Sequence, residues 1–203
     1  MKLYYSPGTC SLASHIVLRE IGKDFDLEKV DTDSQKTETS ADYNRINPKG
    51  KVPALELNDG QILTEGAAIL QYIADQNPEA ELAPKYATVD RAQLQEHLNC
   101  VASELHKAFG PLFNPNSSDD DKSKARINVE ITMDHFESIF SDGRKYLVNN
   151  TFSVADAYLF VVSGWTVPTG IGLDKWPKIA TFLTRVAGRE KVQDAMRAEG
   201  LLN

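Results

Sequence analysis

The chain changes character near residue 80, and that break constrains the fold more than any other feature. The first 80 residues alternate between short extended runs and helical patterns, whereas the remainder carries helical periodicity alone. Lys2 to Tyr5 is a short apolar, aromatic run that stops at Pro7-Gly8. From Ser11 to Glu20, Leu12, Ile16 and Arg19 follow helical spacing with Ala13 and Val17 beside them, and Gly22 ends the helix. Leu27 to Val30 is a second, weaker strand, and residues 31–47 are polar and aperiodic, a loop with a short helical piece. Val52 to Leu57 is a third strand that begins at a proline, Asn58-Asp59-Gly60 is a hairpin turn, and Gln61 to Leu63 is a fourth strand. Thr64-Glu65-Gly66 then opens a helix that runs to about Gln76 and stops before Asn77-Pro78. One parallel crossover and one antiparallel hairpin predict an α/β domain over residues 1–80 with a small mixed sheet.

After a linker from Asn77 to Ala87, helices are expected over 88–109, 122–140 and 154–165, with two short ones after Pro177 and Arg189. Residues 87–203 are therefore read as an all-helical domain, in a two-domain α+β/α chain. The helix VADAYLFVVSGW is apolar on every side except at Asp156, the signature of a buried helix. Ser153 is a good N-cap and Asp156 sits at the third helical position. The two can satisfy each other's backbone N–H groups as a capping box, which accounts for Asp156 without a catalytic role.

Charge and cysteine content exclude several classes. The net charge is -7, and neither part is basic: residues 1–80 carry 8 Lys+Arg against 13 Asp+Glu, which leaves 14 against 16 for the rest. No nucleic-acid surface and no charge-driven membrane binding is expected. No apolar run approaches the roughly 20 residues of a membrane span. The N-terminus, MKLYYSPGTC, lacks an apolar signal core, so the mature chain is expected to start here and to be cytoplasmic. Cys10 and Cys100 are too few for a disulfide framework or a cysteine-rich zinc site, and the four histidines form no ligand motif, so no metal is expected.

Four places invite chemistry. Cys10 follows a strand and a Pro-Gly turn at the entrance of the first helix, where the helix dipole and unpaired N–H groups favour a thiolate and should lower its pKa below the free value of about 8.5. A buried small hydrophobe is the alternative there, and the preferred reading for Cys100. Val52-Pro53 could be a rigid cis turn that presents the Val52 backbone to an extended peptide ligand, although most X–Pro bonds are trans. At Thr64-Glu65-Gly66, free N–H groups suit a carboxylate and Glu65 suits an amine, the two groups of an α-amino acid end; helix capping is the competing reading. In the long helix, Leu94, Leu98, Val101 and Leu105 form an apolar stripe, and Asn99, Ser103 and His106 a polar one roughly 130° away. His15, His97 and His135 are read as structural.

Together these residues resemble a glutathione transferase of the bacterial beta class. The resemblance spans the chain through KLYYSPGTCSLASHIVLREIG, NPKGKVPALEL, LTEGAAILQYIAD, LNCVASELHKAFGPLF and FSVADAYLF. It implies a thioredoxin-like N-terminal domain that binds glutathione, an all-α C-terminal domain that contributes the electrophile site and dimer contacts, a cytoplasmic homodimer and a detoxification role. It implies a cis Pro53, Val52 pairing with the glutathione backbone, Cys10 near the glutathione sulfur, Glu65 and Gly66 at the γ-glutamyl end, and Lys51 at the glycyl carboxylate. Asn99 would reach across from the second subunit, with Ser103 and His106 in the same segment; Cys10 and His106 are the catalytic candidates. Tyr5 and Ser11 are further donors near the sulfur. Two positions depart from the family: Gln35, expected in the glutathione site, stands where a Lys is frequent that could hold the glycyl carboxylate, and can donate a hydrogen bond without the charge, which implies lower affinity for glutathione; Gly66 stands where Ser is frequent and leaves only its backbone N–H.

The resemblance implies conjugation of the glutathione thiolate to hydrophobic electrophiles, with glutathione as co-substrate and no other cofactor. Glutathione-dependent thiol–disulfide exchange or peroxidase chemistry through Cys10 is a side activity, and a non-catalytic binding protein of the same fold is the alternative. The stretch from Phe109 to Phe113 supplies aromatic surface for the electrophile.

Overall fold

A computed structural model describes residues 1–202. It divides the chain into two compact units, Met1–Ala83 with Gly188–Asn203, and Pro84–Ala187.

In the first unit a five-stranded sheet runs in the order β3-β2-β1-β4-β5. The strands are β1 Lys2–Tyr5, β2 Asp26–Asp31, β3 Lys36–Thr37, β4 Ala54–Glu56 and β5 Ile62–Thr64. β1 and β2 are parallel, joined through helix α1 (Ser11–Glu20), with Leu3 opposite Leu27. β4 is antiparallel to β1, and β5 to β4, closing the expected hairpin. Helix α2 (Gly66–Asp75) follows. The sequence reading omitted β3, a two-residue strand paired with Val30 and Asp31. So short a strand carries no alternation for the eye to find. The 3₁₀ turn Tyr43–Arg45 is the helical piece expected in that loop.

Buried apolar residues on both sides of the sheet explain this arrangement. Leu3, Val30, Ala54 and Leu55 are fully buried, as are Ile16, Val17 and Leu18 of α1 and Ile69, Leu70 and Ile73 of α2. Tyr4, Val30, Tyr43 and Ala54 form one cluster against which Val52 packs. This cluster anchors the segment that leads into β4.

The second unit is helical, with an isolated bridge between Val148 and Thr151. Its helices are α3 Val89–Cys100, α4 His106–Phe113, α5 Asp119–Ile139, α6 Val154–Gly164 and α7 Pro177–Ala187. A π-helical turn, Val101–Leu105, joins α3 to α4. The expected single helix over 88–109 is therefore one rod with an extra residue wound into it, and it runs on past Pro111 to Phe113. A proline removes one backbone bond, but here Phe109 and Phe113 pack edge-on against Trp165 with ring centroids 5.7 and 5.5 Å away. Such ring pairs contribute about 0.5–1.5 kcal/mol each and hold the last turn. α5 starts three residues before the expected 122, because Ser118 and Asp121 form a capping box.

α6 is buried along its length, Asp156 included. Ser153 and Asp156 form the expected box: the Ser153 amide donates to Asp156 Oδ2 at 2.9 Å and its hydroxyl at 2.6 Å. The Leu147 amide donates to Asp156 Oδ1 at 2.9 Å, so the carboxyl also fixes the preceding loop. Burial raises the Asp156 carboxyl, these donors offset part of the rise, and the balance leaves it at about 7.

Helix α8 (Glu190–Ala198) departs from the division at residue 87. The sequence reading assigns it to the helical domain; by packing it belongs with α1 in the first unit. The cause is polar. His15 is buried on α1, and Glu199 meets its Nδ1 at 2.9 Å. Arg19 Nε donates to His15 Nε2 at 3.3 Å, so His15 carries its proton on Nδ1 and donates it to Glu199. Arg189 adds a two-pronged pair with Glu20 at 2.7 and 2.9 Å.

Candidate active site

In the first unit, Cys10 lies at the N-cap of α1. The turn before it is tightly built. Thr9 donates its hydroxyl to the Ser6 carbonyl at 2.8 Å, and the Ser6 amide donates to Ser11 Oγ at 3.2 Å. Gly8, at φ +70, turns its amide to Glu199 Oε2 at 2.9 Å. The C-terminal segment thus braces the loop that carries the thiol.

Cys10 Sγ–H donates to the Val52 carbonyl at 3.4 Å. The Cys10 and Ser11 amides and Lys51 all favour the thiolate, as the helix-entrance argument expects. Burial opposes them, with help from Glu65, and wins: the thiol is pushed up to about 11. The expected lowering is therefore corrected. The helix terminus contributes in the predicted direction, but desolvation of the sulfur is the larger effect. Cys100 is likewise raised, chiefly by burial.

The Val52-Pro53 bond is cis, as the resemblance implies. Tyr43 Oη and Asn47 Nδ2 both donate to the Lys51 carbonyl, at 2.9 and 2.6 Å, and hold this segment still. Among the described residues the Val52 amide meets no acceptor, so a backbone donor is available there. The Lys51 ammonium forms no ion pair among the described residues.

Glu65 occupies the N-cap of α2 at φ +71, a conformation that costs a non-glycine residue on the order of 1–3 kcal/mol. No side chain caps this helix, and the Gly66 and Ala67 amides have no acceptor among the described residues. The capping alternative for Thr64 is not realised: its hydroxyl instead accepts from Lys49 Nζ at 3.0 Å. Two free amides beside a carboxylate suit a zwitterionic α-amino acid end.

Three candidates sit differently from expectation. Gln35 Nε2 donates to the Thr32 and Gly50 carbonyls at 2.6 and 3.1 Å, while its buried Oε1 has no partner. Both donors are engaged, and the remaining atom is an acceptor, which repels a carboxylate. Ser11 is fully buried and its hydroxyl is tied to Thr9 Oγ1 at 2.8 Å and to Ser6. Tyr5 is buried against His15, its pKa raised chiefly by burial.

In the second unit, Asn99 and Ser103 are exposed, and Ser103 Oγ donates to Glu104 at 3.0 Å. His106 does not continue their stripe. It is half-buried, with Nδ1 2.8 Å from Tyr158 Oη and its ring edge-on to Trp165 at 4.9 Å. The π turn Val101–Leu105, which contains Ser103, slips the register before His106, a departure that uniform α-helical periodicity misses.

The comparisons with known proteins agree with this geometry. Residues 8–76 match the glutathione S-transferase N-terminal domain, and residues 100–190 the C-terminal domain. The chain is 45% identical over 201 residues to glutathione S-transferase GstA of Escherichia coli O157:H7, covering 99% of this chain and all of that one. This chain belongs to the glutathione S-transferase family. Its class is the bacterial beta class: a beta-class transferase from Sphingomonas chungbukensis superposes with a TM-score of 0.96 at 47% identity, over the full length of both chains. A sphingomonad transferase complexed with glutathione gives 0.95 at 46% identity, again over both full lengths. The chain is thus an enzyme, a glutathione transferase, and the non-catalytic alternative is set aside.

Lys49 and Glu199 were the polar residues of this transferase that sequence reasoning missed. Nothing in their spacing marks them, since each finds its partner through the tertiary fold.

Proposed function

We propose that this transferase binds glutathione in its first unit and presents the ligand's own thiolate to a hydrophobic electrophile. The γ-glutamyl carboxylate takes the Gly66 and Ala67 amides, its amine takes Glu65, and Lys51 takes the glycyl carboxylate. The cysteinyl backbone pairs with Val52. Its N–H competes with Cys10 for the Val52 carbonyl, which frees the Cys10 S–H to donate to the ligand sulfur. A fixed donor beside the sulfur lowers the pKa of the bound glutathione thiol and so raises the share present as thiolate, the nucleophilic form. Gln35, Ser11 and Tyr5 hold the scaffold rather than the ligand.

The observation that carries this division of labour is the Cys10 thiol itself, hydrogen-bonded as a donor and pushed up to about 11 by burial. At neutral pH it is a donor and a poor nucleophile, so conjugation is the main reaction and thiol exchange the side activity. His106 is the second catalytic candidate; with Trp165 and the exposed Phe113 it offers an aromatic surface to an apolar electrophile, while Phe109, expected to share in that surface, is fully buried and backs Trp165. The glutathione-bound relative supports the ligand assignment. Asn99 and Ser103, exposed on the long helix, suit contact with a second subunit's glutathione in a homodimer. A cytoplasmic detoxification enzyme fits this chemistry, and no helix among the described residues is long and apolar enough to cross a membrane.

The test is retention on immobilised glutathione together with conjugation of an activated aryl halide. Retention with turnover is expected; binding of neither glutathione nor its S-alkyl derivatives would contradict the proposal.

A further inference from the structure

The Glu65 carboxylate already holds an ammonium. Lys49 Nζ lies 2.6 Å from Glu65 Oε1 and 3.0 Å from Thr64 Oγ1, so one cation bridges two oxygens beside the start of α2. A primary ammonium with three N–H donors is also what the α-amino group of a γ-glutamyl ligand presents. Charge and donor count agree, and both cations need the same carboxylate.

We propose that Lys49 is an internal competitor for the amine subsite and must release Glu65 before a γ-glutamyl amine docks there. The inference rests on the assignment of Glu65 to that amine. The local structure permits the exchange. The Lys49 amide is fixed by Asn47 Oδ1 at 3.1 Å, and Asn47 also holds the Lys51 carbonyl, so the side chain can leave while the loop stays. The side chains of Lys49 and Glu65 are 53% and 71% exposed, so the released ammonium returns to water at little cost. An exposed pair of this kind is weak, and the competition should change affinity by a few-fold at most.

Two ligands separate the amine from the rest of the molecule: glutathione, and glutaryl-cysteinyl-glycine, which lacks only the α-amino group. Titration calorimetry of Lys49→Met should show glutathione binding about two- to five-fold tighter than in the parent protein. The deaminated ligand should bind the two proteins alike, because it leaves the Lys49–Glu65 pair in place. Lys49→Arg, which keeps the cation, should stay near the parent. Weaker or unchanged glutathione binding by Lys49→Met, or equal tightening of both ligands, overturns the proposal. Weaker binding would mean that Lys49 attracts the ligand carboxylate instead of competing with its amine. Glu65→Gln tests the underlying assignment. It should erase the preference for glutathione over the deaminated ligand; a preserved preference removes Glu65 from the amine site and this proposal with it.

Discussion

At Cys10 two effects of opposite sign meet, and their sizes decide the chemistry. Two backbone amides and a lysine favour the thiolate, while desolvation favours the thiol and prevails, leaving a pKa of about 11. Alkylation of Cys10 by iodoacetamide, followed peptide by peptide to separate it from Cys100, should therefore be slow at pH 7.5 and rise with pH toward 11. A midpoint at or below about 8.5 would restore the low-pKa reading. The position of Cys10 is legible in the sequence as a helix entrance after a Pro-Gly turn. Its pKa is not, because the atoms that dry the sulfur come from Val52 and its surroundings, some forty residues on. Glu65 is the second residue whose charge matters. Glu65→Ala should weaken glutathione binding by about 1.5 kcal/mol, the lower end for a charged hydrogen bond because the side chain is exposed. Equilibrium titration checks this, and an unchanged Kd would contradict the amine assignment.

Among the elements, α6 and the long α3–α4 rod show what periodicity can and cannot tell. The apolar stripe Leu94, Leu98, Val101, Leu105 is buried as expected. Uniform periodicity nevertheless mistakes the direction of His106, because a π turn is set by packing and leaves no spacing signal. The Ser153–Asp156 box is local, and for that reason it could be seen in the sequence. Ser153→Ala should cost about 1–2 kcal/mol, measurable by chemical denaturation. Asp156 adds a pH dependence of definite sign. Its folded pKa of about 7 lies above the ordinary value of 3.8 for an aspartate in the unfolded chain, so the folded state binds the extra proton between these values. Its contribution is fully present below about pH 4 and is lost as pH rises through about 7. Denaturation midpoints from pH 4 to 8 should show the parent losing stability relative to Asp156→Asn as pH rises; a relative gain would contradict the shift.

For the whole molecule, the break near residue 80 separates the sheet-bearing part from the helical one, but it hides the return of the last helix. Gly188 onward joins the first unit, where α8 buries Val192 and Ala195 and Glu199 meets the buried His15 and the Gly8 amide. These contacts join residues nearly two hundred positions apart, beyond any local pattern. Glu199→Ala leaves the buried His15 Nδ1–H without its carboxylate and should destabilise by roughly 1–3 kcal/mol. Hydrogen exchange should locate the loss in β1 and α1, with α5 and α6 protected as before; uniform loss of protection would contradict the grouping. The central claim is that glutathione supplies the nucleophile while Cys10 only donates to it. Its most direct test is kcat/KM for an activated aryl halide in Cys10→Ala, with glutathione affinity measured on the same protein. Loss of one weak S–H donor should raise the pKa of the bound glutathione thiol by about one unit and lower kcat/KM by about ten-fold, with affinity retained. A fall to the uncatalysed rate, with glutathione still bound as tightly, would show that Cys10 is itself indispensable to the chemistry.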